Sequence, residues 1–208
     1  LNTNYKYSDL GFYLLGHTVE ELTGMPLDQY VDKTFYHPLH LRTATFNPTK
    51  KFSADRIVPS ERDRYWRRQE IVGHVHDMWA AMLGGVSGHA GLFANAQDLA
   101  GIMQLFLQKG QYGQKSWIAP GTLDAFTTRF PGDTRRGIGF DMLQLDPNEN
   151  MNLSPKASAK TFGHLGFTGT AAWVDPVDDL VFIFLSNRTY PSMNNYKLNK
   201  MDVRPTIQ

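Results

Sequence analysis

Seven residues, Gly163-His164-Leu165-Gly166-Phe167-Thr168-Gly169, constrain this chain more than any other stretch. Three glycines at intervals of three stand at the head of a strand-like run, Thr170-Ala171-Ala172-Trp173-Val174-Asp175, and a strand interior gains nothing from losing side chains. The spacing predicts a backbone that something approaches closely, with a substrate as one candidate. A glycine-rich edge hairpin without chemistry fits the same letters. Pro176-Val177-Asp178-Asp179 then reads as a turn. The run Val181-Phe182-Ile183-Phe184-Leu185 is too continuous for a strand with one wet face and too short for a free helix. The expectation is an antiparallel hairpin whose second strand is covered on both faces.

Upstream the signals are helical. Ser8 or Asp9 can cap a helix that carries Phe12, Leu15, Val19 and Leu22 at helical spacing and stops at Gly24 and Pro26. Tyr7 thus sits at a helix start, where unsatisfied N–H groups and the dipole favour polar catalytic groups; packing on the first turn is its other reading. A second short helix places Leu27, Tyr30, Val31 and Phe35 on one face and ends before Pro38. Residues 43–70 show little periodicity, and Arg62, Arg64, Arg67 and Arg68, alternating with Glu61, Asp63 and Glu70, read as a solvated surface. His74, His76, Asp77 and His89 can be drawn as metal ligands, but five glycines between Gly73 and Phe93 describe a tightly folded loop, and no metal is expected. Asn95 caps a further helix with Leu99, Ile102, Met103 and Phe106 inside, and another spans Pro120 to Arg129. Gly137–Leu143 reads as a strand, Asp146–Asn150 as a turn, and the tail from Thr189 as irregular to about Met201. Helices first and antiparallel strands last make the chain α+β.

Composition excludes several classes. Twenty-one basic against twenty acidic residues leave a net charge of +1, so no nucleic-acid partner is expected, and no segment is apolar for long enough to span a membrane. The absence of cysteine removes disulfides, thiolate nucleophiles and zinc thiolate sites together. The chain opens on Leu1 without a signal-peptide pattern and leads straight into structure, so it reads as the later part of a longer polypeptide.

Two segments taken together carry a family resemblance. Tyr7-Ser8-Asp9, followed by Leu10–Gly16 and ending in Glu21-Leu22-Thr23-Gly24, resembles the Tyr-Ser-Asn segment and following helix of serine hydrolases related to class C β-lactamases and D-alanyl-D-alanine peptidases. His164-Leu165-Gly166 resembles their Lys/His-Thr-Gly motif on the inner strand, and Pro38-Leu39 to Pro48 their Pro-Leu-Gly-Met-x-x-Thr stretch. The Leu83–Phe93 segment and Ser186-Asn187-Arg188 are similar to a subgroup that splits the bond between N-acetylmuramic acid and L-alanine, relatives of which can be joined to family 3 β-N-acetylglucosaminidases. The resemblance implies a β-lactamase/transpeptidase-like fold lacking its N-terminal portion, a cell-envelope location and no cofactor. Residues 1–208 are then one part of a single domain, mainly helical over 1–130, with antiparallel strands over 131–188 and a tail over 189–208. The implied partners are a peptidoglycan-derived small molecule and the missing N-terminal part of the same protein.

The resemblance also implies roles. Tyr7, Asp9 and His164 are catalytic, and the Phe167 backbone N–H is an oxyanion donor; Ser8, Leu165, Gly166, Thr168, Gly169, His76, Asp77 and His89 bind substrate. The reaction is acyl transfer through a covalent intermediate, with Tyr7 shuttling the proton. A phenol is a poor base at neutral pH, so that role requires cationic neighbours to lower its pKa or a concerted relay through the family's lysine, and His164 is the neighbour this chain offers. The family's Ser-x-x-Lys nucleophile lies upstream; none of the nine serines has a lysine three residues later, and Thr3-Asn4-Tyr5-Lys6 fits Thr-x-x-Lys by letters only, so the chain alone is expected to be inactive. Asp9 in place of Asn, His164 in place of Lys and Leu165 in place of Thr point away from recognition of a free β-lactam-type carboxylate. A carboxylesterase on the same fold and a non-catalytic peptidoglycan-binding module are the alternatives, with a metal-dependent hydrolase more distant.

Overall fold

The computed structural model describes residues 6–131, 135–146 and 148–208; Thr3–Tyr5 of the Thr-x-x-Lys letters and Pro147 of the expected turn lie outside them. Along the chain run α1 (Leu10–Thr23), α2 (Leu27–Val31), β1 (Glu61–Arg62), β2 (Glu70–Ile71), α3 (Met78–Met82), α4 (Ala96–Leu107), β3 (Gln111–Tyr112), β4 (Lys115–Ser116), α5 (Pro120–Thr127), β5 (Asp141–Met142), β6 (Phe162–Leu165), β7 (Ala171–Asp175), β8 (Leu180–Phe184), α6 (Lys197–Lys200) and α7 (Val203–Ile207). These elements form two units, the first comprising the chain up to Pro59 with Asp63–Ala94, the second Ser60–Arg62 with Asn95–Gln208.

In the first unit α1 ends as its sequence dictates. Gly24 takes the left-handed conformation at φ 64° and returns its N–H to the Glu20 carbonyl. The Glu20 side chain then accepts from Leu27 N at 3.0 Å, tying the start of α2 to α1. The inner face differs from the expected one: Phe12 and Val19 are half-buried, but Leu15 and Leu22 are exposed, and the only buried residue of α1 is Gly16. The reason is a close backbone approach. A Cβ on Gly16 would lie 3.2 Å from Gly88 N, and one on Gly88 2.3 Å from the Phe12 carbonyl, so the glycine-rich loop sits directly on the helix. Gly85, at φ 86°, faces Asn47 in the same way, and the Asn47 amide donates to Gly84 O at 2.9 Å. Gly85, Gly88 and Gly91 are therefore required by their own neighbours.

The charged stretch is not a purely solvated surface. Asp63 is buried, and its carboxylate accepts from the backbone N–H groups of Tyr65, Trp66 and Arg67. Arg67 pairs with it at 3.5 Å and donates to the carbonyls of Val75 and His76. Burial alone would raise the Asp63 carboxyl, but the three backbone donors and Arg67 outweigh it and hold it below the usual carboxylate range. In the second unit Glu61 is likewise buried and accepts from Met193 N at 2.8 Å.

The second unit is built on a four-stranded antiparallel sheet in the order β5-β6-β7-β8. Side chains alternate across it. Phe162, Val174, Val181 and Ile183 pack with Met103 and Phe106 of α4 on one face, while Ala171, Trp173, Phe182 and Phe184 pack with Leu143 and Leu153 on the other. Both faces of β8 thus join a core, as its continuous apolar run requires, but β8 ends the sheet and its residues from Val181 are only half-buried. The better covered strand is β7, buried at every residue but Ala172, where Trp173 and Val174 each contribute roughly 1.5–3 kcal/mol of burial. Asn95 caps α4 as expected, its side chain accepting from Asp98 N at 2.8 Å.

Three expectations need correction. The strand over Gly137–Leu143 shrinks to Asp141–Met142, because Gly139 at φ 78° and the Gly137 N–H to Phe140 carbonyl bond fold the preceding residues into a turn. The helix from Pro120 stops at Thr127, two residues before Arg129. The tail is not irregular to Met201: α6 and α7 form in it, Thr189 is fully buried, and its hydroxyl donates to the Ser60 carbonyl at 2.7 Å.

Candidate active site

Tyr7, Ser8 and Asp9 belong to the first unit and His164–Gly169 to the second, so each group is described by itself. Tyr7 is 55% exposed immediately before α1. Ser8 Oγ accepts from Leu10 N at 3.3 Å, while Asp9, at the cap position, takes helical backbone angles and makes no side-chain cap bond. Its carbonyl accepts from Phe12 N and Tyr13 N instead, so the carboxylate takes no part in starting the helix.

Of His76, Asp77 and His89, the structure joins two. His89 Nε2 lies 2.9 Å from Asp77 Oδ1, and its Nδ1 lies 2.8 Å from Ser87 Oγ. Asp77 also caps α3 by accepting from Ala80 N at 2.8 Å. Burial would raise the Asp77 carboxyl, but the Ala80 N–H and His89 outweigh it and keep it below its ordinary range. His76 is engaged through its carbonyl with Arg67, and His74 is exposed. Sequence reasoning missed Ser87, whose only signal was its place two residues before His89.

His164 sits on β6, whose ladder with β7 covers all four of its residues, while its ladder with β5 covers only Phe162 and Gly163. His164 Nε2 lies 3.3 Å from Arg136 Nη1, and its Nδ1 2.8 Å from the Leu165 carbonyl. A guanidinium has no acceptor, so Nε2 carries the lone pair and Nδ1 the proton. A fixed positive charge, that of Arg136, thus stands beside β6. Arg136 also lies 3.4 Å from Asp141, which is 1% exposed and held bidentately by Arg135 at 2.7 and 2.6 Å. Neither arginine had a motif to mark it; the only hint was an Arg-Arg pair before a strand signal.

The turn after β6 is fixed from behind. Gly166 N donates to Thr170 O at 2.8 Å and Gly169 N to Gly166 O at 3.0 Å. Arg188 donates through Nε to Phe167 O at 2.7 Å and through its backbone N–H to Thr168 O; Ser186 Oγ donates to Gly169 O, and Arg204 Nη1 approaches Gly166 O at 3.4 Å. A trans peptide points its N–H opposite to its C=O, so with Gly166 O drawn toward Gly169 and Arg204, the Phe167 N–H is directed away from the turn interior. That is the orientation an oxyanion donor requires. The three glycines, however, are explained by the chain itself: added Cβ atoms would meet Ala172 O at 2.0 Å from Gly163, Thr170 Oγ1 at 2.1 Å from Gly166 and Ser186 Oγ at 2.4 Å from Gly169.

Comparison with known proteins gives the family and the fold. The β-lactamase family model matches residues 1–202. A Salmonella schwarzengrund protein described as "putative D-alanyl-D-alanine carboxypeptidase" is 39% identical over 210 aligned positions, covering 93% of this chain and 47% of the relative. Among solved structures, a β-lactamase from Mycobacterium bovis superposes with a TM-score of 0.64 at 22% identity, over 99% of this chain and 62% of that one. The octameric penicillin-binding protein homologue from Pyrococcus abyssi gives 0.60 at 16% identity, over 97% and 43%. The fold is β-lactamase/transpeptidase-like, and the chain spans about half the length of the curated relatives it matches.

Proposed function

This chain belongs to the β-lactamase family of serine hydrolases, and on that premise we propose that it carries part of an acyl-transfer site for amides in peptidoglycan fragments, of the muramyl-L-alanine type. The observation that carries this reading is the β6 end: a Phe167 N–H aimed outward from a clamped turn, next to His164 with Arg136 against its ring. The half of β6 not laddered with β5 offers a strand edge along which a peptide can lie. A serine from a segment outside these 208 residues attacks the carbonyl, and Tyr7 passes its proton to the leaving amine. The muramyl preference rests on the resemblance of Leu83–Phe93 and Ser186–Arg188. The same resemblance supports a cell-envelope location.

A second reading is a carboxypeptidase that recognises a terminal carboxylate, and Arg136 favours it by restoring beside His164 the fixed charge that the letters lacked. The protein in its longest natural form, incubated with muramyl-L-alanyl peptides and with D-alanyl-D-alanine peptides, decides between them by which product appears. Release of L-alanyl peptide from the muramyl group supports the first reading, and release of D-alanine the second. No turnover of either, with no covalent adduct on an upstream serine, overturns both.

A further inference from the structure

Ser87, His89 and Asp77 form a hydrogen-bonded row within the first unit that the acyl-transfer reading leaves unused as a nucleophile. Asp77, fixed as the α3 cap, can only accept, so the proton on its contact with His89 belongs to Nε2. His89 Nδ1 then holds a lone pair 2.8 Å from Ser87 Oγ, and the hydroxyl is the donor. The imidazole side chain is 5% exposed, and the edge of the Tyr13 ring lies against it at 4.4 Å between centroids, which fixes its plane. Hydroxyl, imidazole and carboxylate in this order are what activate a serine, here with the two ring nitrogens exchanged relative to the usual triad. Ser87 and His89 also line a cavity of about 310 Å³ whose other walls include Leu27, Val31, Phe46 and Leu92. That volume is at the small end of ligand sites, and the walls suit a short hydrocarbon chain.

We propose that Ser87 is a second nucleophile, acylated by short-chain carboxylic esters bound in this cavity. Ser87 Oγ bonds to the ester carbonyl carbon as its proton passes to His89 Nδ1. The carbon–alkoxide bond then breaks, and the alkoxide takes that proton and leaves as the alcohol. Water, deprotonated by the same nitrogen, hydrolyses the acyl-serine to the acid and regenerates the hydroxyl. The inference does not depend on the function proposed above, because the two nucleophiles lie in different peptides.

The test is covalent labelling of the 208-residue chain with a fluorophosphonate and with p-nitrophenyl butyrate, read by intact mass and peptide mapping. Trypsin releases residues 69–109 as one peptide in which Ser87 is the only serine, so an adduct there is unambiguous. The expected result is one adduct on that peptide, absent in Ser87→Ala and formed about 100-fold more slowly in His89→Gln. Asp77→Asn keeps a good cap for α3 but not the carboxylate, and labelling is expected to slow at least roughly tenfold with the melting temperature little changed. A folded chain that takes no label on residues 69–109, or one labelled equally fast in His89→Gln and Asp77→Asn, overturns the proposal.

Discussion

Replacing Asp175 by asparagine tests how the β7–β8 hairpin is anchored. The carboxylate is 4% exposed at the end of β7 and accepts from Ser158 N at 2.7 Å, Ser158 Oγ at 2.6 Å, Thr161 Oγ1 at 2.7 Å and Val177 N at 3.0 Å. Burial would raise its pKa, but these donors outweigh burial and bring it down to about 2 from 3.8. The folded-state value lies below the unfolded one, so ionisation favours the folded state. At about 1.4 kcal/mol per unit, the contribution is about 2 kcal/mol above pH ~4, and it is lost as pH falls toward 2. For a chain of this length that corresponds to roughly 4–8 °C in melting temperature. Circular-dichroism melts of the wild type and Asp175→Asn, from pH 7 to pH 2.5, are expected to show that gap near neutrality and its closure below pH 4. A gap of the same size at pH 6 and pH 2.5 would refute the reasoning, since the stabilisation would then not come from the charge.

Gly169→Ala places a side chain at φ 110° and 2.4 Å from Ser186 Oγ, and we expect a loss of about 1–3 kcal/mol in urea unfolding; an unchanged midpoint would show that the turn relaxes freely. Arg204→Ala removes the α7 hold on Gly166 O and Thr170 O, and in the complete protein kcat is expected to fall roughly tenfold with KM little changed, since an oxyanion donor acts on the transition state. A rise in KM alone would assign Arg204 to substrate binding instead.

Local chemistry was legible where one residue type had one possible conformation. Gly24 ended α1, Asn95 opened α4, and the continuous apolar run of β8 placed side chains in cores on both faces. Legibility failed where the deciding partner was distant in sequence. The inner face of α1 is set by Gly88, seventy-two residues after Gly16, so helical periodicity selected Leu15 and Leu22, which are exposed. Glu61 and Asp63 looked solvated among arginines because nothing in their own stretch shows that backbone donors enclose them. The glycine spacing of 163–169 did report a close approach, but periodicity does not name what approaches, and the neighbours proved to be Ala172, Thr170 and Ser186. Arg136 lies twenty-eight residues before His164 and meets it only because the chain returns through β5.

That contact changes the argument about substrate charge. From letters alone, His164 for Lys and Leu165 for Thr point to a substrate without a free carboxylate. In the fold, Arg135 and Arg136 both lie against Asp141, and Arg136 also reaches His164 Nε2, so a guanidinium stands beside the histidine. A fixed guanidinium can recognise a carboxylate at any pH where the enzyme works, as an imidazole cannot. The two possibilities separate with a pair of peptides that differ only in ending in D-alanine acid or D-alanine amide. If Arg136 binds the terminus, the acid is preferred roughly tenfold by KM, the scale of one charge-assisted hydrogen bond, and Arg136→Gln removes the preference, with any loss of kcat the same for acid and amide. If acid and amide are cleaved alike in both proteins, the guanidinium serves only to orient His164 and neutralise Asp141. Recognition of a terminal carboxylate by Arg136 then falls, and with it the support that Arg136 lent to the carboxypeptidase reading.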